Sequence, residues 1–202
     1  MIVGISGKKQ CGKNTIGNIL ILIDIYKNSN RHFISLEDYV KQYCDSELIP
    51  TTARFELKSF AGKLKEITSI LCSHYVEDYE RESFKKSIDP ITGITNREVL
   101  QKIGESFRSS LGEDIWIKAL MTDYQAKKDN WIVTDVRYQN EADHIKNKGG
   151  ILIRVNRNTH NNDNHKSEID LDDYNKFDFI IDNNGSVEEL IKKVIEIYDK
   201  LF

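Results

Sequence analysis

The sequence predicts an α/β fold, a three-layer α/β/α arrangement around a mostly parallel sheet. Three observations carry that prediction. Short apolar runs alternate with stretches of helical periodicity along the chain. A glycine-rich turn joins the first apolar run to the first helical stretch, and the clearest core run, Trp131-Ile132-Val133-Thr134-Asp135, ends in an acid. Strands that alternate with helices call for right-handed crossovers, which lay helices on both faces of a parallel sheet.

Taken in order, Ile2 to Ser6 reads as a buried strand. From Lys13, the spacing of Ile16, Ile19, Leu20 and Ile23 is that of an amphipathic helix. Residues 28–52 are polar and read as an insertion, with a short helix around Leu36 to Tyr43. Arg54 to Phe60 alternates like a second strand, and a helical stretch follows from about Gly62 to Cys72. Asp89-Pro90 and Thr92-Gly93 are turn signals in a charged tract. Two helical patterns cover Arg97 to Leu111 and Glu113 to about Lys127, ahead of the core strand at 131–135. A helix over Glu141 to Lys148 ends at Gly149-Gly150, a C-cap signal. Ile151 to Val155 and Phe177 to Ile181 complete the strands. The last helix opens with the capping box Ser186-Val187-Glu188-Glu189 and lines Val187, Leu190, Ile191, Val194, Tyr198 and Leu201 along one face.

At 202 residues the chain suits one well-buried domain, taken as 1–202, and two full domains would be a squeeze. Hydrophobic residues at 39% and charged residues at 30% fit a globular protein. With a formal net charge of −3, nothing global argues for a nucleic-acid or membrane partner, so any anion site must be built locally. The N-terminus lacks the basic lead and long apolar core of a secretory signal, and Ile19 to Ile23 falls far short of a membrane span. Cys11, Cys44 and Cys72 lack paired spacing and read as reduced thiols. The expectation is a cytoplasmic protein (host cytoplasm if viral) that acts on small molecules, with room for a homodimer.

Gly7-Lys8-Lys9-Gln10-Cys11-Gly12-Lys13 satisfies G-x-x-x-x-G-K, directly after a strand and before a helix. Glycines let backbone amides turn inward around phosphate oxygens, and the helix N-terminus adds partial positive charge. Lys13 supplies a point charge to the β and γ phosphates, and Lys8 and Lys9 raise the local potential. Asn14 stands where a Ser or Thr usually follows the lysine, with Thr15 one place later. G-K-x-T is the arrangement of nucleoside monophosphate kinases, which makes Thr15 the candidate hydroxyl for Mg²⁺.

Asp135 closes the core strand at the edge where the glycine loop lies, as a carboxylate that holds Mg²⁺ or its waters would. Arg137 has the planar fork suited to bridging phosphate oxygens. The bland alternative is a capping aspartate beside an exposed arginine. Arg97, Gln101, Gly104 and Arg108 share one helical face and could line a pocket for a phosphorylated acceptor, or equally a solvated face. Lys65 has the same two readings. Arg157 heads a lid-like loop at about 157–170 that would bring it over the phosphates. His160, His165 and Glu168 match no zinc spacing, and a solvated loop is preferred for them.

Together these residues resemble the deoxynucleoside monophosphate kinases of tailed bacteriophages. The resemblance rests on S-G-K-K-x-x-G-K-N-T at 6–15, F-A-G-K-L-K at 60–65, R-E-V-L-Q-K-I-G at 97–104 and W-I at 116–117. It continues in T-D-V-R-Y-Q-N-E-A at 134–142, G-G-I-L-I-R-V at 149–155, H-K-S-E at 165–168 and N-N-G-S-V-E-E-L at 183–190. It implies a P-loop NTPase fold of the adenylate-kinase-like kind, with ATP as phosphate donor, Mg²⁺ as cofactor and a (deoxy)nucleoside monophosphate as acceptor. Gly7, Lys9, Gly12, Lys13, Asn14 and Thr15 would then hold the ATP phosphates, and Asp135 and Arg137 would stand at the reaction centre. Asn183 to Ser186, including Gly185, would match a turn near the adenine ring. Lys65, Arg97, Gln101 and Arg108 would belong to an acceptor-binding helical region at about 73–128 and just before it. Two departures bear on the acceptor: residues 28–52 are longer than in those kinases, and Glu105-Ser106 replaces a more usual Thr-Asp.

Rival readings are a phosphomevalonate-kinase-like or dephospho-coenzyme-A-kinase-like enzyme and a nucleotide-binding sensor without catalysis. Retention of Lys13, Asp135 and Arg137 together speaks against the sensor. A GTPase or motor lacks an N-K-x-D base motif.

Overall fold

The computed structural model describes residues 1–29, 34–44, 53–126, 128–158 and 165–202. The chain divides into two compact units, Met1–Lys58 with Gln125–Phe202, and Ser59–Tyr124.

The first unit is built on five parallel strands, β1 (Ile2–Gly7), β2 (Glu56–Lys58), β3 (Trp131–Val136), β4 (Ile151–Asn156) and β5 (Phe179–Asp182). Their order across the sheet is β2-β3-β1-β4-β5, so β1 is central, paired with β3 on one side and β4 on the other. Because all pairs are parallel, the carboxyl ends of β1, β3, β4 and β5 emerge at one edge. That single fact gathers Gly7, Asp135, Arg137, Arg157 and Asn183, which lie far apart in sequence.

Alternation along β1 assigns the two faces. Val3 and Ile5 join Ile132, Ile153, Val155 and Ile181 in the core shared with helices α1 (Lys13–Asn28) and α9 (Val187–Leu201). Gly4 faces the other way, where a Cβ would sit 2.7 Å from Ile145 of helix α7 (Gln139–Asn147). The three layers expected from sequence are therefore present, with α7 on one face and α1 and α9 on the other.

Helix α1 departs from the amphipathic pattern expected for it. Besides Ile16, Ile19, Leu20 and Ile23, it buries Ile21 and Leu22. The reason is helix α2 (Leu36–Tyr43), which packs on α1 and α9 and adds Val40 and Cys44 to the core. The helix expected within the 28–52 insertion is thus part of the core; residues 30–33 and 45–52 of that insertion lie outside the described residues. Asp24 of α1 is buried as well, a costly location for a carboxylate without partners. It accepts from Arg54 Nε at 3.1 Å and from the Tyr198 hydroxyl at 2.7 Å. Arg54 is consequently no strand residue: β2 covers only Glu56–Lys58 of the run expected over Arg54 to Phe60.

The second unit holds helices α3 (Ala61–Cys72), α4 (Glu82–Lys86), α5 (Asn96–Leu111) and α6 (Ile115–Met121), with a 3-10 turn at Val76–Glu80. Helix α6 is shorter than the pattern over 113–127 suggests, and α5 starts on a capping box between Thr95 and Glu98. Asp89, fully buried, ties the Asp89-Pro90-Ile91-Thr92 turn by accepting from the Thr92 amide at 2.7 Å and hydroxyl at 2.6 Å. His74 Nε2 lies 2.9 Å from the same carboxylate. No helix among the described residues is long and apolar enough to cross a membrane.

Candidate functional site

The loop between β1 and α1 has the backbone its glycines foretell. Gly7, Gln10 and Gly12 all have positive φ, at 155°, 62° and 101°. A chain that switches hand in this way turns successive amides toward one concavity, a nest for an anion. Gly7 is required on space alone: a Cβ there would meet Cys11 Sγ and the Val155 carbonyl oxygen, each at 2.5 Å. Gly12 is the N-cap of α1 and makes no side-chain cap bond to the opening amides of that helix. Those amides have no intrahelical acceptor and carry the positive end of the helix dipole.

Lys13 folds back over the loop, its ammonium donating to Gly7 O at 2.7 Å and Lys8 O at 2.8 Å. Burial lowers its pKa, and Arg137 lowers it further, against opposing contributions from Cys11, Glu168 and Asp135. Lys13 and Arg137 thus feel each other and the carboxylates of Asp135 and Glu168, and Arg137 is hydrogen-bonded to Glu168. The Arg137 guanidinium is held charged: burial works against the charge, but Glu168 and Asp135 outweigh it and raise the pKa. Thr15 is half-buried at the start of α1, and Asn14 is exposed.

The chain around Arg137 is fixed from both sides. Glu141, buried in the first turn of α7, accepts from the Arg137 amide at 2.8 Å and the Tyr138 amide at 3.2 Å. Glu168, on the short helix α8 (Lys166–Ile169), accepts from the Arg137 guanidinium at one oxygen and from the Lys9 amide at the other, 2.8 Å away. On the far side of the loop, Asn183 Nδ2 donates to Cys11 O at 2.8 Å. Asn183 thus props the phosphate loop from the end of β5, while Asn184 accepts from the Asn158 amide and Gly185 leads into the α9 cap at Ser186. Arg157 is exposed just past β4; Asn161 to Asn164 and His160 lie outside the described residues.

In the second unit, Lys65 and Arg97 are gathered with a residue that the sequence did not single out. Lys85 Nζ lies 3.2 Å from Glu82, and Arg97 donates to the same carboxylate at 2.8 Å, while Lys65 pairs with Glu80. Lys65 also acts electrostatically on Lys85, whose pKa is lowered by burial first and by that neighbour as well. The cations are the less exposed partners: side chains of Lys65, Lys85 and Arg97 are 16%, 18% and 28% exposed, against 59% for Glu80 and 38% for Glu82. Gln101 and Gly104 continue the face of Arg97 along α5. Arg108 has a different setting, buried, with Nη1 donating to Glu113 O at 2.8 Å across the α5–α6 turn.

The residues that sequence reasoning passed over are Glu141, Asp172 and Lys85. Glu168, for which a solvated loop was preferred, is instead buried because both its carboxylate oxygens are taken by Lys9 and Arg137. Glu168 and Glu141 lie inside segments that carry the resemblance, but their partners sit 159 and 4 residues away, and only the first is invisible in local pattern. Among the described residues no group of three His, Cys, Asp or Glu could hold a metal ion.

A family model described as deoxynucleotide monophosphate kinase matches residues 51–194. The chain belongs to that family. The matched stretch of this deoxynucleotide monophosphate kinase family member takes in Asp135, Arg137, Glu168 and Asn183 but begins after the phosphate loop, whose reading rests on its own geometry. Similar curated proteins include one from Acanthamoeba polyphaga mimivirus, 39% identical over 69 residues, covering 34% of this chain and 36% of that one. The deoxynucleotide monophosphate kinase of Enterobacteria phage T4 is 31% identical over 122 residues, 55% of this chain and 50% of that one. That of Escherichia phage RB69 is 28% identical over 130 residues, 61% of this chain and 53% of that one. The chain spans between about a third and a half of the length of these relatives.

Proposed function

We propose that the chain transfers the γ-phosphoryl group of ATP to a (deoxy)nucleoside monophosphate, giving ADP and the nucleoside diphosphate. The observation that supports this reading is the parallel sheet order, which brings the loop of Gly7 to Lys13 with its positive φ angles to the same sheet edge as Asp135 and Arg137. An acceptor phosphate oxygen attacks the γ phosphorus, and the bond to the β–γ bridging oxygen breaks with its electrons leaving on ADP. The nucleophile is already anionic, so the work left to the protein is alignment and neutralisation of charge.

In this scheme the loop amides and Lys13 hold the donor phosphates, Lys13 exchanging its loop carbonyls for phosphate oxygens. Arg137 bridges oxygens of the migrating group. Arg157, exposed past β4, and Lys9 add positive potential, and Gly185 gives the chain before α9 close access to the base. The Thr15 hydroxyl and the Asp135 carboxylate are hard oxygen donors, and Mg²⁺ needs only one or two of these beside phosphates and water. When bound there, the ion would neutralise charge on the β and γ phosphates. For the acceptor phosphate we assign Lys65 and Arg97, joined by Lys85, with Gln101 as an amide donor. Arg108 we assign to the frame of the second unit, since it braces the α5–α6 turn.

The test is a coupled assay of ADP release across deoxy- and ribonucleoside monophosphates, with phosphomevalonate and dephospho-coenzyme A as further acceptors. Turnover with a nucleotide acceptor supports the reading. Turnover confined to a non-nucleotide acceptor, or none with any, rejects it.

A further inference from the structure

We propose that Glu168 is a positioning residue that sets Arg137 in register with the phosphate loop. The inference rests on the kinase reading above and concerns a residue to which that reading gives no part. Glu168 is buried, and both carboxylate oxygens are used: one accepts from the Lys9 amide at 2.8 Å, the other from Arg137 Nη1. A single rigid group thereby fixes the separation between the loop that grips the donor phosphates and the arginine that meets the migrating one.

The segment that carries Glu168 is itself pinned to both structures. Asp172 lies 3.1 Å from Lys8 Nζ and accepts from Arg154 Nη2 at 2.8 Å, and Arg154 in turn donates to Ser6 Oγ at 3.2 Å. On the other side, Asp170 accepts from the Gln139 amide at 2.9 Å, and Gln139 Nε2 donates to Asp170 O at 3.0 Å. Three acidic residues within one turn and a half thus seat residues 165–172 against the phosphate loop and against the chain that follows Arg137. Glu168 alone among them reaches Arg137.

Chemistry favours orientation over charge as the purpose. A carboxylate beside Arg137 offsets part of the positive charge that would draw a phosphate, which is a disadvantage if attraction were all that mattered. A guanidinium has five donors in a planar fork, and Glu168 takes one of them, leaving the rest aimed by that constraint. Glu168 is buried while Arg137 is partly exposed, so the pair adds little net stability, yet any arrangement that withdraws Arg137 leaves the buried carboxylate unpaired, which is costly. Arg137 is accordingly held in one pose, and misplacing such a group by about 1 Å costs on the order of 100-fold in rate.

The experiment is a double-mutant cycle on the full chain, with E168Q, R137A and the pair, read as kcat and KM for ATP and for the nucleoside monophosphate. E168Q keeps the shape and loses one acceptor oxygen. We expect kcat to fall on the order of 10- to 100-fold while KM for ATP moves less than about threefold, and E168Q to add almost nothing once R137A is present. Equal costs of E168Q with and without Arg137, a kcat unchanged by E168Q, or a loss confined to KM for ATP would each overturn the proposal. D172N is the control for seating alone: it should add to R137A independently, and equal coupling would move the effect from Glu168 to the segment. A native chain with no phosphotransfer to any nucleoside monophosphate overturns the kinase reading and this inference with it, an outcome distinct from an active native chain with an indifferent E168Q.

Discussion

Lys13→Met removes the ammonium and keeps the length of the stem. Two charge-assisted bonds go with it, to Gly7 O at 2.7 Å and Lys8 O at 2.8 Å. At roughly 1.5–3 kcal/mol each, their loss costs about 3–6 kcal/mol. Against this, the folded chain no longer holds a partly buried ammonium, a penalty on the order of a few kcal/mol. The lowered pKa of Lys13, due first to burial, is the sign of that penalty. The terms are of similar size, so net stability should change by about 1 kcal/mol or less, a shift of roughly 2–4 °C in Tm for a chain of this size. Phosphotransfer, in the proposed scheme, would by contrast lose a charge that holds the donor phosphates, and kcat should fall on the order of 100- to 1000-fold. A thermal melt run beside the coupled assay measures both. Turnover within tenfold of the native chain refutes the assignment of Lys13 to the phosphates, and a Tm drop beyond 10 °C makes it a strut of the loop instead. The pH dependence has a fixed sign. The folded pKa lies below the ordinary 10.5, so between the two values the unfolded chain binds a proton that the folded chain has released, and stability from this group rises with pH. Native minus variant Tm should therefore become more positive as pH climbs through that window.

Three other outcomes are expected. Gly7→Ala places a Cβ 2.5 Å from a backbone oxygen and from Cys11 Sγ, which should lower stability by about 1–3 kcal/mol and raise KM for ATP; an unchanged Tm with native KM would show that the loop has slack. Lys85→Ala should raise KM for the nucleoside monophosphate roughly tenfold or more, the equivalent of one charged hydrogen bond, and leave KM for ATP within about twofold. The reverse pattern would detach Lys85 from the acceptor. Tyr198→Phe withdraws the 2.7 Å bond to buried Asp24 and should cost about 1.5–3 kcal/mol in chemical denaturation with kcat unchanged, and a stability equal to that of the native chain would make the hydroxyl dispensable to Asp24.

How far the fold was legible depends on where each signal was stored. The phosphate loop is encoded within a few residues, since glycine spacing, a preceding apolar run and a following helical period are all local. Asp135 at the end of β3 and the Ser186 cap of α9 are legible for the same reason. Strand β2 was overestimated because Arg54 and Phe55 obey strand alternation for other ends: Phe55 is buried in the α1–α9 core and Arg54 serves Asp24. The periodicity of α1 under-reported its burial because α2, on a segment that looked merely polar, covers the side expected to meet water.

The acceptor candidates show the same division. One helical period suffices to place Arg97, Gln101 and Arg108 on a common face, yet it could not tell that Arg97 shares Glu82 with Lys85 while Arg108 turns to the Glu113 carbonyl. Side-chain partners are chosen by which elements come into contact, and contact is a property of packing.

The sequence by itself determined the layers and the glycine-rich loop between β1 and α1, and it offered candidate groups for phosphate, because hydrophobic period and glycine spacing act over one turn or one strand. Only the tertiary structure decided how those groups are held. A carboxylate 159 residues from Lys9 joins the loop to Arg137, and Asn183 supports Cys11 from 172 residues away. Such links depend on the parallel order of the sheet, which brings four strand ends to one edge, and no local pattern records that order.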